Sequence, residues 1–323
     1  MKGPVAIIGA GLAGLTAART LTAAGVPVIV FEKSRGVGGR LATRRTRSGL
    51  DFDHGAPWVT PDAAAFADFL RAATAAGDAA AFDGWIIGVP GMSALPRSLA
   101  TGLDIRLETS VEAVAPVPGG WRVNGETFPA VICTAPAPQT ARLCGAIPAI
   151  ARAAASARMI PCWTLMAAWN SDARRAESLT APLAQAVRIS GRPQRAPAPE
   201  RWVAHAAPDW TLANLERARE DVAPVLLAAL AASLDLDPGA AIRAEAHRWR
   251  YARVAQPVGP PCVAVGDIVA AGDWLLGPNA SDAHASGLAA AAAILSRQGG
   301  AGTGMRDTAT RTAAPPRRGG DAE

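Results

Sequence analysis

The chain has two lysines, Lys2 and Lys33, and one tyrosine, Tyr251, in 323 residues. Its formal charge of +5 is therefore carried almost wholly by arginine. Those arginines are scattered rather than set in a stripe with aromatics, which argues against a nucleic-acid partner. With the abundant alanine, arginine in place of lysine reads as a base-composition bias of the genome. Four cysteines (Cys133, Cys144, Cys162 and Cys262) form no C-x-x-C pair and sit among apolar neighbours. That excludes a metal or disulfide framework and fits reduced thiols in a cytoplasmic protein. No apolar run reaches the roughly 18 residues of a membrane helix, so no membrane association is expected. The longest candidate, residues 222–234, is short and bounded by acids.

What is present is concentrated in residues 5–40. Val5, Ala6, Ile7 and Ile8 suit a buried parallel strand, which needs no polar alternation. Gly9, Gly11 and Gly14 follow as G-x-G-x-x-G, with Leu12 and Ala13 between them, and open an Ala/Leu-rich helix. Gly9 allows the tight turn, Gly11 lets the backbone approach a pyrophosphate, and Gly14 lets helix and strand pack closely. The helix N-terminus offers unpaired N–H groups and partial positive charge to phosphates. A second strand ends at Glu32 and Lys33, where the carboxylate can accept from ribose hydroxyls. A secretory leader would lack the glycine repeat, Arg19 and the following strand. Gly38, Gly39 and Arg40 offer another close backbone approach and a cation for a diphosphate. No second G-x-G-x-x-G occurs, so there is no second nucleotide domain to deliver electrons.

Further along, Asp53-His54-Gly55-Ala56 places a histidine between an acid and a glycine, either to contact a ring or to brace a turn. Residues 61–77 read as an amphipathic helix with Phe66, Phe69 and Leu70 on one side. Residues 105–107, 111–114 and 121–123 read as strands, with Asn124-Gly125 as a hairpin turn. Residues 130–136 are a buried-strand pattern; Val111 and Ala135 lie where a ligand beyond strand ends would sit. The middle of the chain reads as an antiparallel sheet (162–167, 185–190, 202–206, 247–252), a Pro/Arg-rich loop (191–199) and a helix over 214–234 broken at Pro224. Strands at 262–265 and 268–271 then lead to Gly272-Asp273, and Ser286-Gly287 opens a helix with Leu288. That helix start would stabilise negative charge on a ring. Residues 298–323 have no periodicity and read as a disordered tail.

The dinucleotide turn with its acid, Gly38-Gly39-Arg40 and Gly272-Asp273 resemble the FAD-binding amine-oxidase superfamily. The runs FEKSRGVGGRLATRR, FDHGA, WVAHAAPDWT and HRWRYA together resemble its renalase-like flavoproteins, bacterial branch. The resemblance spans most of residues 1–295. It implies an α/β fold: a Rossmann-like FAD-binding domain of p-hydroxybenzoate hydroxylase type, with an inserted α+β antiparallel-sheet substrate domain. The division would be 1–60, 88–155 and 256–297 for FAD, and 61–87 with 156–255 for substrate. It implies non-covalent FAD, contacted by Gly9, Gly11, Gly14, Glu32, Gly39, Arg40, His54, Gly55, Ala56, Gly272, Asp273, Ser286, Gly287 and Leu288. It also implies hydride transfer from a small molecule to flavin N5, with dioxygen as acceptor. The renalase substrate would be an isomeric dihydropyridine of NAD(P)H, an anionic reduced nicotinamide nucleotide. This chain departs from the family at residues 274–284, which replace a small-residue loop beside the flavin.

Hydride transfer needs placement more than acid–base chemistry. The candidates around the substrate are His54, His205, Arg248, Arg250 and Tyr251, with His247, His284 and Arg188 behind them. The arginines either hold an anion or line a solvated sheet face. Trp163, Trp202 and Trp249 either wall a pocket or fill a core. The alternatives are a flavin-containing amine oxidase, which typically uses an active-site lysine and tyrosines scarce here, and a non-catalytic flavin- or NAD-binding sensor.

Overall fold

The computed structural model describes residues 3–171 and 178–300. Val5–Ile8 is buried along its whole length and lies within a six-stranded sheet. The order is Val263–Val265, Ile268–Ala270, Ala130–Cys133, Val5–Ile8, Val28–Phe31, Asp104–Arg106. The last five strands run parallel, and Val263–Val265 closes one edge as a hairpin. Continuous apolar runs are what a sheet covered on both faces requires. One face is covered by the helices Leu12–Ala23 and Ala280–Gly300, through Leu15, Ala18, Ala290 and Ile294. The other carries a small antiparallel sheet (Val114–Val117, Gly120–Val123, Glu126–Phe128) and the helices Ala137–Leu143 and Pro148–Ser156.

A second sheet is fully antiparallel, ordered Leu183–Arg188, Glu200–Ala206, Arg158–Trp169, Ala241–Gln256. Alternation along Arg158–Trp169 splits its faces. Leu165, Ala167 and Trp169 pack under the helix Arg219–Leu234, whereas Met166 and Ala168 pack on Phe52. Phe52 belongs to a short hairpin (Arg44–Arg45 with Asp51–Phe52), so this second face meets the segment carrying His54. The helix Ala64–Ala75 buries Phe66 and Leu70 against Leu12 and Leu41, beside a hairpin of Ala79–Phe82 and Trp85–Gly88.

The structure corrects several expectations. Of residues 111–114 only Val114 is in a strand: pairing starts there, and Val111 is a buried core residue in the preceding irregular stretch. Two helices stand where one was expected over 214–234: Pro208–Ala213 lies before that span, and Arg219–Leu234 fills it from a later start. Pro224 does not break the second. Within two turns of its start, it forfeits one backbone bond, to Glu220, while Leu226 and Leu230 are held in the core. The last helix starts at Ala280 rather than at Ser286-Gly287. Asp282 accepts the Asn279 N–H at 2.8 Å, which caps the earlier start. It also continues through Gly300, into the stretch expected to be a tail; residues 301–323 lie outside the described residues.

Candidate active site at the junction of the two sheets

The glycine turn is built as its spacing requires. Gly9 has φ 103°, and a Cβ on Gly14 would overlap the Gly9 carbonyl oxygen. Gly11 is different: a Cβ there would meet nothing within 4 Å, so its backbone faces open space. Gly39, at φ 54°, closes on this point; its Cβ would lie 3.6 Å from Gly11 Cα. The Gly38 N–H donates to Ala10 O at 2.8 Å and ties the two glycine runs together. Glu32 is buried, and its carboxylate accepts from Ala10 N–H and Ser34 N–H, each at 2.8 Å. Two backbone amides orient the acid and leave lone pairs for hydroxyls. Thr134, at the end of Ala130–Cys133, donates to Ile8 O at 2.9 Å. Ala135 follows it, buried. Lys33 is exposed. A backbone cradle with no side chain to fill it, beside an oriented acid, fits the diphosphate and ribose of a dinucleotide.

Arg40 does more than the sequence indicated. It forms a two-pronged pair with Asp273 (2.6 and 2.7 Å) and donates to Ala252 O at 3.1 Å. It thus joins three distant stretches of chain. Asp273 is buried beside Gly272, whose φ of 145° and contact with the Trp274 ring leave no room for a Cβ. Ser286 and Gly287 serve the packing. Ser286 Oγ donates to Pro261 O and accepts from Gly272 N–H, while a Cβ on Gly287 would overlap Ala13 O of the first helix. They lie past the first turn of their helix, so its positive end cannot be theirs; half-buried Leu288 follows them.

His54, Gly55 and Ala56 lie between the two sheets. Gly55 is obligatory because a Cβ would overlap Arg40 O, and Ala56 N–H donates to that same oxygen at 2.8 Å. From the antiparallel sheet, Trp249 Nε1 donates to His54 O at 2.9 Å. The rings of His54, His247 and Trp249 form a mutual cluster with centroids 4.6 to 5.0 Å apart. His54 Nδ1 meets Ala42 O at 3.2 Å, and Arg44 meets His247 Nδ1 at 3.3 Å. His205 reaches Gln185 at 2.9 Å.

All three imidazoles are held neutral. Burial, then His247 and Arg44, push His54 down to about 3. Burial likewise pushes His205 to about 4, against the pull of the His54 and Gly55 carbonyls. His247 falls to about 4 through burial and the neighbouring Arg44.

The cationic candidates are already paired. Arg250 grips Glu216 with two bonds of 2.7 Å; Arg248 shares that carboxylate at 3.1 Å and lies over the Trp163 ring. Arg188 pairs with Glu200. Tyr251 is half-buried on the same strand as Trp249. Trp163 and Trp202 fill the core under the helix, and only Trp249 of the three tryptophans reaches His54.

The Pro/Arg-rich loop hides a cluster that composition could not reveal. Arg192 and Arg195 are buried and bind Asp53 at 3.3 and 2.9 Å. Asp53 also accepts from Thr43 Oγ1 (2.7 Å) and Met92 N–H (3.0 Å). Arg195 and Arg201 both reach Asp51. The residue just before His54 is thus locked to the antiparallel sheet. The only sequence signal was the unusual Arg-Pro density, which reads equally well as a solvated loop.

Residues 7–73 match the profile of the NAD(P)-binding Rossmann-like domain, and residues 76–295 match flavin containing amine oxidoreductase. A putrescine oxidase from Kocuria rosea is 48% identical over 58 residues, which is 18% of this chain and 12% of that protein's length. Among solved structures, a putrescine oxidase bound to putrescine superposes with TM-score 0.67 at 16% identity, covering 91% of this chain and 99% of the other. Cyclohexylamine oxidase from Brevibacterium oxydans gives 0.65 at 13% identity, covering 92% and 99%. At such identities the likeness concerns the fold.

Proposed function

The chain belongs to the flavin-containing amine oxidoreductase family, whose cofactor here is FAD, and from that premise we propose that it oxidises the carbon–nitrogen bond of a small amine. The observation that carries this reading is the neutral, ring-lined junction of His54, His205, His247 and Trp249, beside which Arg44, Arg248 and Arg250 are each already paired with a carboxylate. FAD, when bound, supplies a two-electron acceptor for the hydride leaving the carbon next to nitrogen. The chain supplies placement. The Gly9–Gly14 turn, Glu32 and Gly39 hold the dinucleotide end; Arg40, Asp273 and the His54–Ala56 segment fix the junction; the antiparallel sheet packs over it. The proposed division leaves 1–60, 88–155 and 256–297 for the cofactor and 61–87 with 156–255 for the substrate. His54, His205 and Tyr251 are the proposed substrate-side groups.

The narrower renalase reading, oxidation of a dihydropyridine isomer of NAD(P)H, is the second proposal. It is favoured by the absence of lysine outside Lys2 and Lys33. It requires Arg248 or Arg250 to leave Glu216 and meet the nucleotide's phosphates.

One experiment separates them. Purified protein should be yellow and release FAD on acid denaturation. Mixed anaerobically, it should bleach with putrescine or cyclohexylamine. Bleaching by 2- or 6-dihydro-NAD(P) isomers alone moves the assignment to the second reading, and bleaching by neither removes both.

A further inference from the structure

His54 can be read more finely than as a member of a ring cluster. A carbonyl oxygen only accepts, so the proton between His54 Nδ1 and Ala42 O, 3.2 Å apart, belongs to Nδ1. Arginine only donates, so His247 Nδ1, 3.3 Å from Arg44, is the bare nitrogen of its ring. The two adjacent imidazoles are therefore opposite tautomers: His54 is protonated at Nδ1 and bare at Nε2, and His247 the reverse. No described residue hydrogen-bonds His54 Nε2, and that atom is not among the buried unpaired ones. That atom therefore keeps some accessible surface at the junction of the two sheets, although the residue as a whole is buried. The ring cannot turn over freely. The Trp249 indole holds the His54 carbonyl, Gly55 is wedged against Arg40 O, and His247 and Trp249 pack on the ring.

We infer that His54, fixed as the Nδ1–H tautomer, presents Nε2 as a neutral hydrogen-bond acceptor that aligns an N–H of the substrate, and that Arg44 acts through His247 as a positioning residue keeping this pair uncharged. The assignment rests on the amine reading above. An acceptor that stays unprotonated holds the nitrogen without placing a positive charge beside it. Burial, His247, Arg44 and His205 each disfavour the imidazolium and together outweigh the Ala42 carbonyl, which favours it. So weak a base is a poor final destination for a proton, which makes its task orientation rather than deprotonation.

Nitrogen-15 NMR of the imidazoles tests the tautomers without substrate. The chain has four histidines, so His→Gln variants assign the signals. The FAD-loaded protein at neutral pH should show His54 with a protonated Nδ1 and a bare Nε2, and His247 with the opposite pattern. Arg44→Met should redistribute the His247 tautomers. A His54 ring protonated at Nε2, or at both nitrogens, overturns the proposal. The second arm compares His54→Gln, whose amide oxygen can stand near Nε2, with His54→Asn, which reaches only the Nδ1 position. Both keep the main-chain carbonyl that Trp249 grips, and FAD content reports on their folding. Anaerobic flavin reduction by cyclohexylamine should need at least tenfold more amine for half-maximal rate in the Asn variant, with most of that loss restored in the Gln variant. Equal loss in both, or none in either, overturns the acceptor role. Failure of every amine to bleach the wild-type flavin overturns the functional reading instead, and the substrate-free spectrum still decides the tautomers.

Discussion

Neutral histidines have a thermodynamic consequence that belongs to single residues. An imidazole titrates near 6.5 when unfolded, whereas His54 titrates at about 3 and His205 and His247 at about 4 in the folded chain. Below the unfolded value the unfolded chain binds more protons, so these groups favour folding fully above about pH 6.5 and progressively less as pH falls toward 4. Each fully shifted histidine contributes a slope of about 1.4 kcal/mol per pH unit within that window, less for the partly exposed His247. Urea midpoints between pH 8 and 5 should fall on acidification, and His205→Gln should lower the proton uptake on unfolding by about one. An unchanged slope in that variant would mean that His205 is already protonated in the fold. Glu32 gives a prediction about the cofactor. With both carboxylate oxygens held by amides, Glu32→Gln turns one acceptor into a donor facing an N–H. FAD binding should weaken by about 1–3 kcal/mol, roughly tenfold or more by titration of the FAD-free protein.

The element most at risk is the arginine-rich loop over 191–199. Its buried Arg192 and Arg195, with Arg201 just beyond it, share two aspartates: Arg192 and Arg195 on Asp53, Arg195 and Arg201 on Asp51. Such pairs cost desolvation to form, but removing one partner strands the other in a low-dielectric site. Arg195→Ala should destabilise the protein by about 3 kcal/mol in denaturant unfolding. A loss below about 1 kcal/mol would mean that the loop is solvated after all. The helix pair is equally specific. Gly287 lets Ala280–Gly300 approach the first helix to backbone distance, so Gly287→Val should loosen that pairing and lower both stability and FAD retention. Elements such as Val5–Ile8 were legible because an uninterrupted apolar run has one good use, the middle of a parallel sheet. The break at Pro224 was misread because a tertiary signal outweighs a local one, and the helix start at Ser286-Gly287 because another local signal lies before it. Core burial of Leu226 and Leu230 overrides the proline, and the Asp282 cap starts the last helix before Ser286.

At the scale of the molecule, the two sheets are joined by direct ties rather than by chain connectivity alone. Trp249 holds His54 O, Arg40 reaches Ala252 O and Asp273, Arg44 reaches Glu245, and the arginine loop seizes Asp53. Unfolding should therefore be cooperative. Tryptophan fluorescence and flavin release should share one midpoint, and added FAD should raise it by mass action. Flavin release well before loss of tryptophan burial would show the sheets acting independently.

The sequence by itself determined the dinucleotide turn, its acid and the antiparallel insert, because each rests on short-range requirements: where only glycine fits, where a strand alternates, where a helix starts beside a phosphate. It also brought His54-Gly55-Ala56 and Gly272-Asp273 into consideration. What those residues do was decided by the tertiary structure. Arg40 spends its charge on Asp273, Arg248 and Arg250 theirs on Glu216, and Arg192 and Arg195 theirs on Asp53. The tautomers of His54 and His247 follow from Ala42 O and Arg44. Charge pairing and proton position depend on partners up to hundreds of residues away, and only the folded chain brings those partners within a few ångströms.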